Sequence, residues 1–85
     1  MEIIFKEKAL SDIEFWKKSG NIQIQNKISA LIEDTLKHPE TGIGKPEKLK
    51  HQLFGLWSRR INNEHRMIYM FTDEVLYIAS LKGHY

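Results

Sequence analysis

Between Ala9 and Leu36 the apolar residues of this chain recur at helical steps, and from Leu53 to Leu81 they run in short β-prone stretches. Residues 39–50, which hold both prolines and two of the five glycines, separate the two regimes. That single change of period predicts a helical part followed by a sheet. Leu10, Ile13 and Trp16, with Ala9 beside them, form the first stripe, and Ser19-Gly20 ends it with a glycine suited to a left-handed cap. Where it starts is left open, since Ser11-x-x-Glu14 is either a capping box or part of the helix face. Asn21 is a natural N-cap for a second helix carrying Ile24, Ile28, Leu31, Ile32 and Leu36, and His38-Pro39 stops it. Two helices joined by about two residues make an antiparallel hairpin.

Ahead of the helices, Ile3-Ile4-Phe5 reads as a first strand. After the irregular stretch, runs at 53–61, 65–72 and 75–81 are separated by Asn62-Asn63 and Thr72-Asp73-Glu74, turn sequences that imply an antiparallel meander. The expected fold is α+β: β-α-α-β-β-β, a helical hairpin packed on one face of a small, mostly antiparallel sheet. The other face is left open to water or to a ligand.

Eighty-five residues give one domain, 1–85, with a small core and no cysteine to staple it. Disulfide frameworks, thiolate metal sites and thiol nucleophiles are thereby excluded, and a reducing cytoplasm is the expected compartment. The first residues do not form a signal peptide, and no apolar run approaches a membrane span. His38, His51, His65 and His84 show no metal-ligand spacing, so no metal site is expected. Gly42-Ile43-Gly44 is half of any phosphate-loop signature and reads as a hinge of its loop.

The net charge of +2 hides a strong asymmetry. Residues 45–66 hold Lys45, Lys48, Lys50, Arg59, Arg60 and Arg66 against Glu47 and Glu64, and this block contains every arginine of the chain. It is either a solvated basic face or a polyanion site. Alternation places Leu56, Ser58 and Arg60 on one side of their strand, with Trp57, Arg59 and Ile61 on the other. Glu64, Arg66, Ile68 and Met70 share a side of the next, and Ile78, Ser80, Lys82 and His84 share one of the last. One register brings Arg60, Arg66 and His84 together on the open face, with the loop carrying Glu47 and Lys50 closing over it. A carboxylate, an imidazole and two guanidiniums can cleave RNA through its own 2′-hydroxyl: one group takes that proton, one protonates the leaving 5′-oxygen, and fixed positive charge stabilises the transition state. An ordinary surface ion-pair cluster is the structural alternative. The last strand runs directly into His84-Tyr85, an imidazole and an aromatic ring where small polar residues are usual.

Lys45-Pro46-Glu47-Lys48-Leu49-Lys50-His51, Leu56-Trp57-Ser58-Arg59-Arg60-Ile61, Glu64-His65-Arg66 and His84-Tyr85, in this order and spacing, resemble the YoeB-type toxins of the RelE superfamily over the full length of the chain. The resemblance implies a RelE-like microbial RNase fold and the toxin of a type II toxin–antitoxin pair, a ribosome-dependent mRNA interferase that cuts mRNA in the A site without metal or cofactor. Carried over, Glu47 matches the general base, His84 the general acid, Arg66 the transition-state arginine and Tyr85 the tyrosine that positions substrate. Lys50 and Arg60 fall on supporting positions near the phosphate, Arg59 joins them as substrate-binding, and Glu64 orients Arg66. Gly83 departs from the family's pattern and is expected to loosen the strand end. The implied partners are a cognate acidic antitoxin, the 70S ribosome with its mRNA, a second toxin copy, and operator DNA through the antitoxin complex alone. A gyrase-directed toxin of the same fold, or a small basic RNA-binding module, is the competing reading.

Overall fold

The computed structural model describes residues 1–84. Five strands, β1 (Glu2–Phe5), β2 (Glu47–Lys48), β3 (Trp57–Arg60), β4 (Arg66–Phe71) and β5 (Val75–Ser80), form one sheet in the order β1-β5-β4-β3-β2. Helices α1 (Glu7–Ser19) and α2 (Ile22–Lys37) lie between β1 and β2 in the chain. β1 runs parallel to β5, and the other pairings are antiparallel. This is the expected helical hairpin on a mostly antiparallel sheet, with one strand more than the sequence pattern shows. Glu47-Lys48, read as part of the irregular stretch, pairs with Ser58 and Trp57 as a two-residue edge strand. Two residues carry no alternation that a pattern can reveal.

Gly20 takes the left-handed cap of α1 at φ 71°, and the Asn21 side chain accepts from the Ile24 N–H at 3.0 Å to cap α2. α1 starts at Glu7, so Ser11 lies in its interior rather than in a capping box. The run from Leu53 is also shorter as a strand than expected. A 3-10 turn at His51–Leu53 precedes it, and β3 begins only at Trp57.

Ala9, Trp16, Ile24, Ile28 and Leu31 of the helices pack against Ile61, Met67, Tyr69, Leu76, Ile78 and Leu81, all buried. Trp57 packs beside them, 6.3 Å from the Tyr69 ring and 5.9 Å from Phe71. The opposite face of β4 carries Arg66, Ile68 and Met70, none of them buried.

Between β4 and β5 the register slips: Ile68 pairs with Ser80 but Tyr69 pairs with Ile78, leaving Ala79 as the extra residue of a bulge. Ile78 therefore faces the core, while Ser80 lines a hollow with Ile68 and Lys8 and its hydroxyl reaches α1 at Lys8 and Asp12. Strict alternation had put the two on one side, and the bulge is the reason they are not.

Candidate active site

Arg60 and Arg66 are direct cross-strand partners in the β3–β4 ladder. The Arg66 N–H donates to the Gly83 carbonyl at 2.9 Å, which sets His84 beside them just past the end of β5. Glu47 pairs with Ser58, Ser58 with Ile68, and Ile68 with Ser80, so one row of paired residues crosses the sheet next to the arginines. Adjacent strands lie about 4.8 Å apart, so β2 and β5 stand about 14 Å apart with the two arginine-bearing strands between them. Two hollows flank that centre. One, of about 490 Å³, is lined by Glu47, Lys48, Leu49, Lys50, His51 and Leu53. The other, of about 410 Å³, is lined by Lys8, Ile68, Ser80, Lys82, Gly83 and His84. An apolar groove of about 250 Å³ near Phe5, Trp16 and Ile28 lies on the helical side and holds none of these groups.

Two like charges directly opposite each other on a sheet destabilise it. Among the described residues, no ion pair joins either Arg60 or Arg66 to a carboxylate. The Arg66 guanidinium rests on backbone carbonyls instead, with Nη1 donating to Asn62 at 2.8 Å and to His65 at 3.2 Å. A guanidinium held on carbonyls, with a second arginine directly across the ladder, is suited to receive an anion. Lys45 and His51 bracket β2 at φ 52° and 58°, a conformation uncommon for side-chain-bearing residues and concentrated at functional sites. No group of three or more His, Asp or Glu able to hold a metal occurs among the described residues. No helix of the described residues is long and apolar enough to cross a membrane.

Residues 5–85 match the family of YoeB-like toxins of bacterial type II toxin–antitoxin systems. The chain belongs to the YoeB toxin family. Toxin YoeB of Escherichia coli K12 is 46% identical over 85 residues, covering 100% of both chains. A YoeB/ParE toxin from Agrobacterium tumefaciens, 34% identical, has the same fold at a TM-score of 0.95, with 100% of both chains covered. The Staphylococcus aureus relative is similar both as a YoeB dimer (TM-score 0.91, 40% identity) and in a YoeB–YefM complex (0.89, 41%), each covering 100% of this chain and 98% of that one.

Within this YoeB-family chain the structure brings Glu47, Lys50, Arg60, Arg66 and His84 to one face and removes Arg59 from it. Tyr85 lies outside the described residues. Arg59 is fully buried. Its Nε donates to the Tyr69 hydroxyl at 3.2 Å, and its guanidinium donates to Asp34 at 2.7 Å and to the carbonyls of His38, Thr41 and Ile43. With every donor engaged inside the fold, it cannot contact substrate. It ties the loop after α2 to the sheet, and the Tyr69 hydroxyl adds a bond to the Pro39 carbonyl at 2.7 Å. Gly42 and Gly44 belong to this packing rather than to a hinge. A Cβ at Gly42 would meet Asp34 Oδ2 at 1.9 Å, and one at Gly44 would meet Leu31 Cδ2 at 2.7 Å.

Among the described residues, no hydrogen bond or ion pair joins the Glu64 side chain to Arg66. The Glu64 backbone N–H and that of His65 are caught by Asn62 Oδ1 at 2.8 Å each, closing the turn whose carbonyls hold the guanidinium. Gly83 is not loose: its N–H donates to His65 Nδ1 at 2.9 Å and its carbonyl accepts from Arg66. Sequence reasoning missed Lys8 and its ion pair with Asp12 at 2.8 Å, though their spacing of four on α1 was a readable signal. Asp34 had no such signal, because its partner is 25 residues away.

The hydrogen bond from Arg59, reinforced by the Ile43 N–H, holds the Asp34 carboxyl below its ordinary pKa. A depressed folded pKa adds stability that is complete above the unfolded value of about 3.9 and is lost as pH falls through the folded one. Stability should therefore drop on acidification below about pH 4. The urea midpoint followed against pH should show a shallower acid limb in Asp34→Asn; an unchanged limb would place the acid sensitivity elsewhere.

Proposed function

We propose that this protein is an endoribonuclease that cleaves mRNA in the ribosomal A site, using Glu47 as general base and His84 as general acid. Glu47 takes the 2′-hydroxyl proton, and the freed oxygen attacks the adjacent phosphorus. Arg66 and Arg60 stabilise the charge gathering on the non-bridging oxygens, Lys50 binds the neighbouring backbone, and His84 protonates the departing 5′-oxygen. The products are a cyclic 2′,3′-phosphate and a 5′-hydroxyl end. All three roles are filled by side chains, so the reaction needs no metal. Tyr85 is assigned to substrate positioning on family resemblance alone.

The observation that carries this reading is the Arg60–Arg66 cross-strand pair, which has no described carboxylate partner and lies between the hollow lined by Glu47 and the hollow lined by His84. The S. aureus relative in complex with YefM supports an antitoxin as the natural partner. An acidic, partly disordered segment would order against the basic face and cover it. The S. aureus dimer supports self-association as well.

Primer extension on mRNA from cells expressing the protein tests the assignment. Cuts within A-site codons, bearing 5′-hydroxyl ends, are expected. Growth arrest with intact mRNA and damaged DNA would instead identify a gyrase-directed toxin, and harmless expression a simple RNA-binding module.

A further inference from the structure

The residues leading into His84 are held more densely than the end of a strand requires. The Leu81 N–H donates to Asp12 Oδ2 at 2.9 Å, and the Leu81 carbonyl accepts from Trp16 Nε1 at 2.9 Å, both bonds buried. The Lys82 carbonyl accepts from Lys8 Nζ at 3.1 Å. The Gly83 N–H and carbonyl are engaged by His65 Nδ1 and the Arg66 N–H, each at 2.9 Å. Segments at a strand end usually fray into water. Here three consecutive residues are gripped by side chains of α1, by the His65 side chain and by the first backbone N–H of β4.

The gripping groups also hold one another. Asp12, only 6% exposed, satisfies its carboxylate with the Leu81 N–H and the Lys8 ammonium. The His65 ring stands edge-on to Trp16, with centroids 5.0 Å apart. Its Nδ1 can accept from Gly83 only while the ring proton sits on Nε2. Gly83 turns the chain at φ 84° with open space where a Cβ would be, so the backbone angle and not crowding is what calls for glycine.

We infer that Asp12, Trp16 and His65 are positioning residues that aim His84 at the leaving oxygen, a role that rests on the assignment of His84 as general acid. A general acid must sit within hydrogen-bond reach of the atom it protonates, and a misplacement of about 1 Å can cost about a hundredfold in rate. The bonds from His65 and Arg66 to the same glycine lock His84 to the strand that carries the transition-state arginine. Acid and arginine thus move as one unit.

Asp12→Ala removes the acceptor for Leu81, and Asp12→Asn keeps an oxygen in its place. His65→Phe keeps a ring against Trp16 and removes the acceptor for Gly83. Cleavage is measured on programmed ribosomes over a toxin titration up to saturation, with two mRNAs that carry either a normal 5′-oxygen or a 5′-sulfur at the scissile phosphate. A departing thiolate needs no proton. With the oxygen substrate, Asp12→Ala and His65→Phe should cut about ten- to a hundredfold more slowly, at unchanged half-saturating concentration, while Asp12→Asn retains most of the rate. With the sulfur substrate all three should approach the parent, as should His84→Gln, whereas Glu47→Gln should stay inactive. If His84→Gln is rescued by sulfur but Asp12→Ala and His65→Phe cut the oxygen substrate normally, the positioning role is wrong and the acid assignment stands. A folded variant, verified by its melting transition, that is slow on both substrates would likewise overturn the positioning role. Failure of sulfur to rescue His84→Gln would overturn the acid assignment itself.

Discussion

Replacing Glu47 with glutamine should lower mRNA cleavage by about 10²–10⁴-fold, the range contributed by a general base, and leave the fold intact. Glutamine preserves size and hydrogen bonding but cannot take the 2′-hydroxyl proton. Glu47 is exposed on a two-residue edge strand, so the change should alter stability by no more than about 0.5 kcal/mol. His84→Gln should produce a loss of similar size for the opposite reason, leaving the 5′-oxygen without its proton. Single-turnover cleavage on programmed ribosomes, with thermal melts on the same samples, reads both quantities. Normal cleavage by both variants would remove the acid–base pair from the mechanism.

The second large effect separates two adjacent arginines. Arg59→Met should destabilise the protein by about 3 kcal/mol or more, because it strips a buried charge from Asp34 and leaves several loop carbonyls without their donor. For a chain of this length that corresponds to a fall in Tm of more than about 10 °C. Arg60→Met, one residue on and exposed, should leave Tm within a few degrees while cleavage falls, because the proposed phosphate contact is lost. Chemical denaturation and cleavage assays on the pair distinguish the roles. Equal stability of the two variants would contradict the internal role of Arg59, and full activity of Arg60→Met would remove that residue from the site.

The same two residues show how far the sequence could be read. Alternation along β3 already put Arg59 with Trp57 and Ile61, the side that packs against the core, and Arg60 on the opposite side, where it is exposed. Charge alone suggested the surface for both. The partners that make burial of Arg59 tolerable, Asp34 and the carbonyls of residues 38–43, come from a loop whose path no periodicity describes. Helix ends at Gly20 and Asn21 were legible because their causes are local: a left-handed angle and a side-chain cap. The neighbourhood of Arg60, Arg66 and His84 followed from short turns that leave few registers. The bulge at Ala79 was not legible, because it replaces alternation at one point without a glycine or proline to mark it. The grip on residues 81–83 was equally hidden, since each of its bonds joins a side chain to backbone far along the chain.

The parallel pairing of β1 with β5 joins residues 2–5 to residues 75–78, nearly the whole length of the described chain. Contacts of such separation raise the contact order and slow folding relative to a purely helical protein of the same size. During synthesis the first strand is made at once but has no neighbour in the sheet until residues 75–78 emerge to pair with it. The Gly83 bonds that place His84 form later still. A protein proposed to act on translating ribosomes thereby gains a built-in delay: the geometry around His84 cannot exist before residues 75–83 have been made and have found their partners.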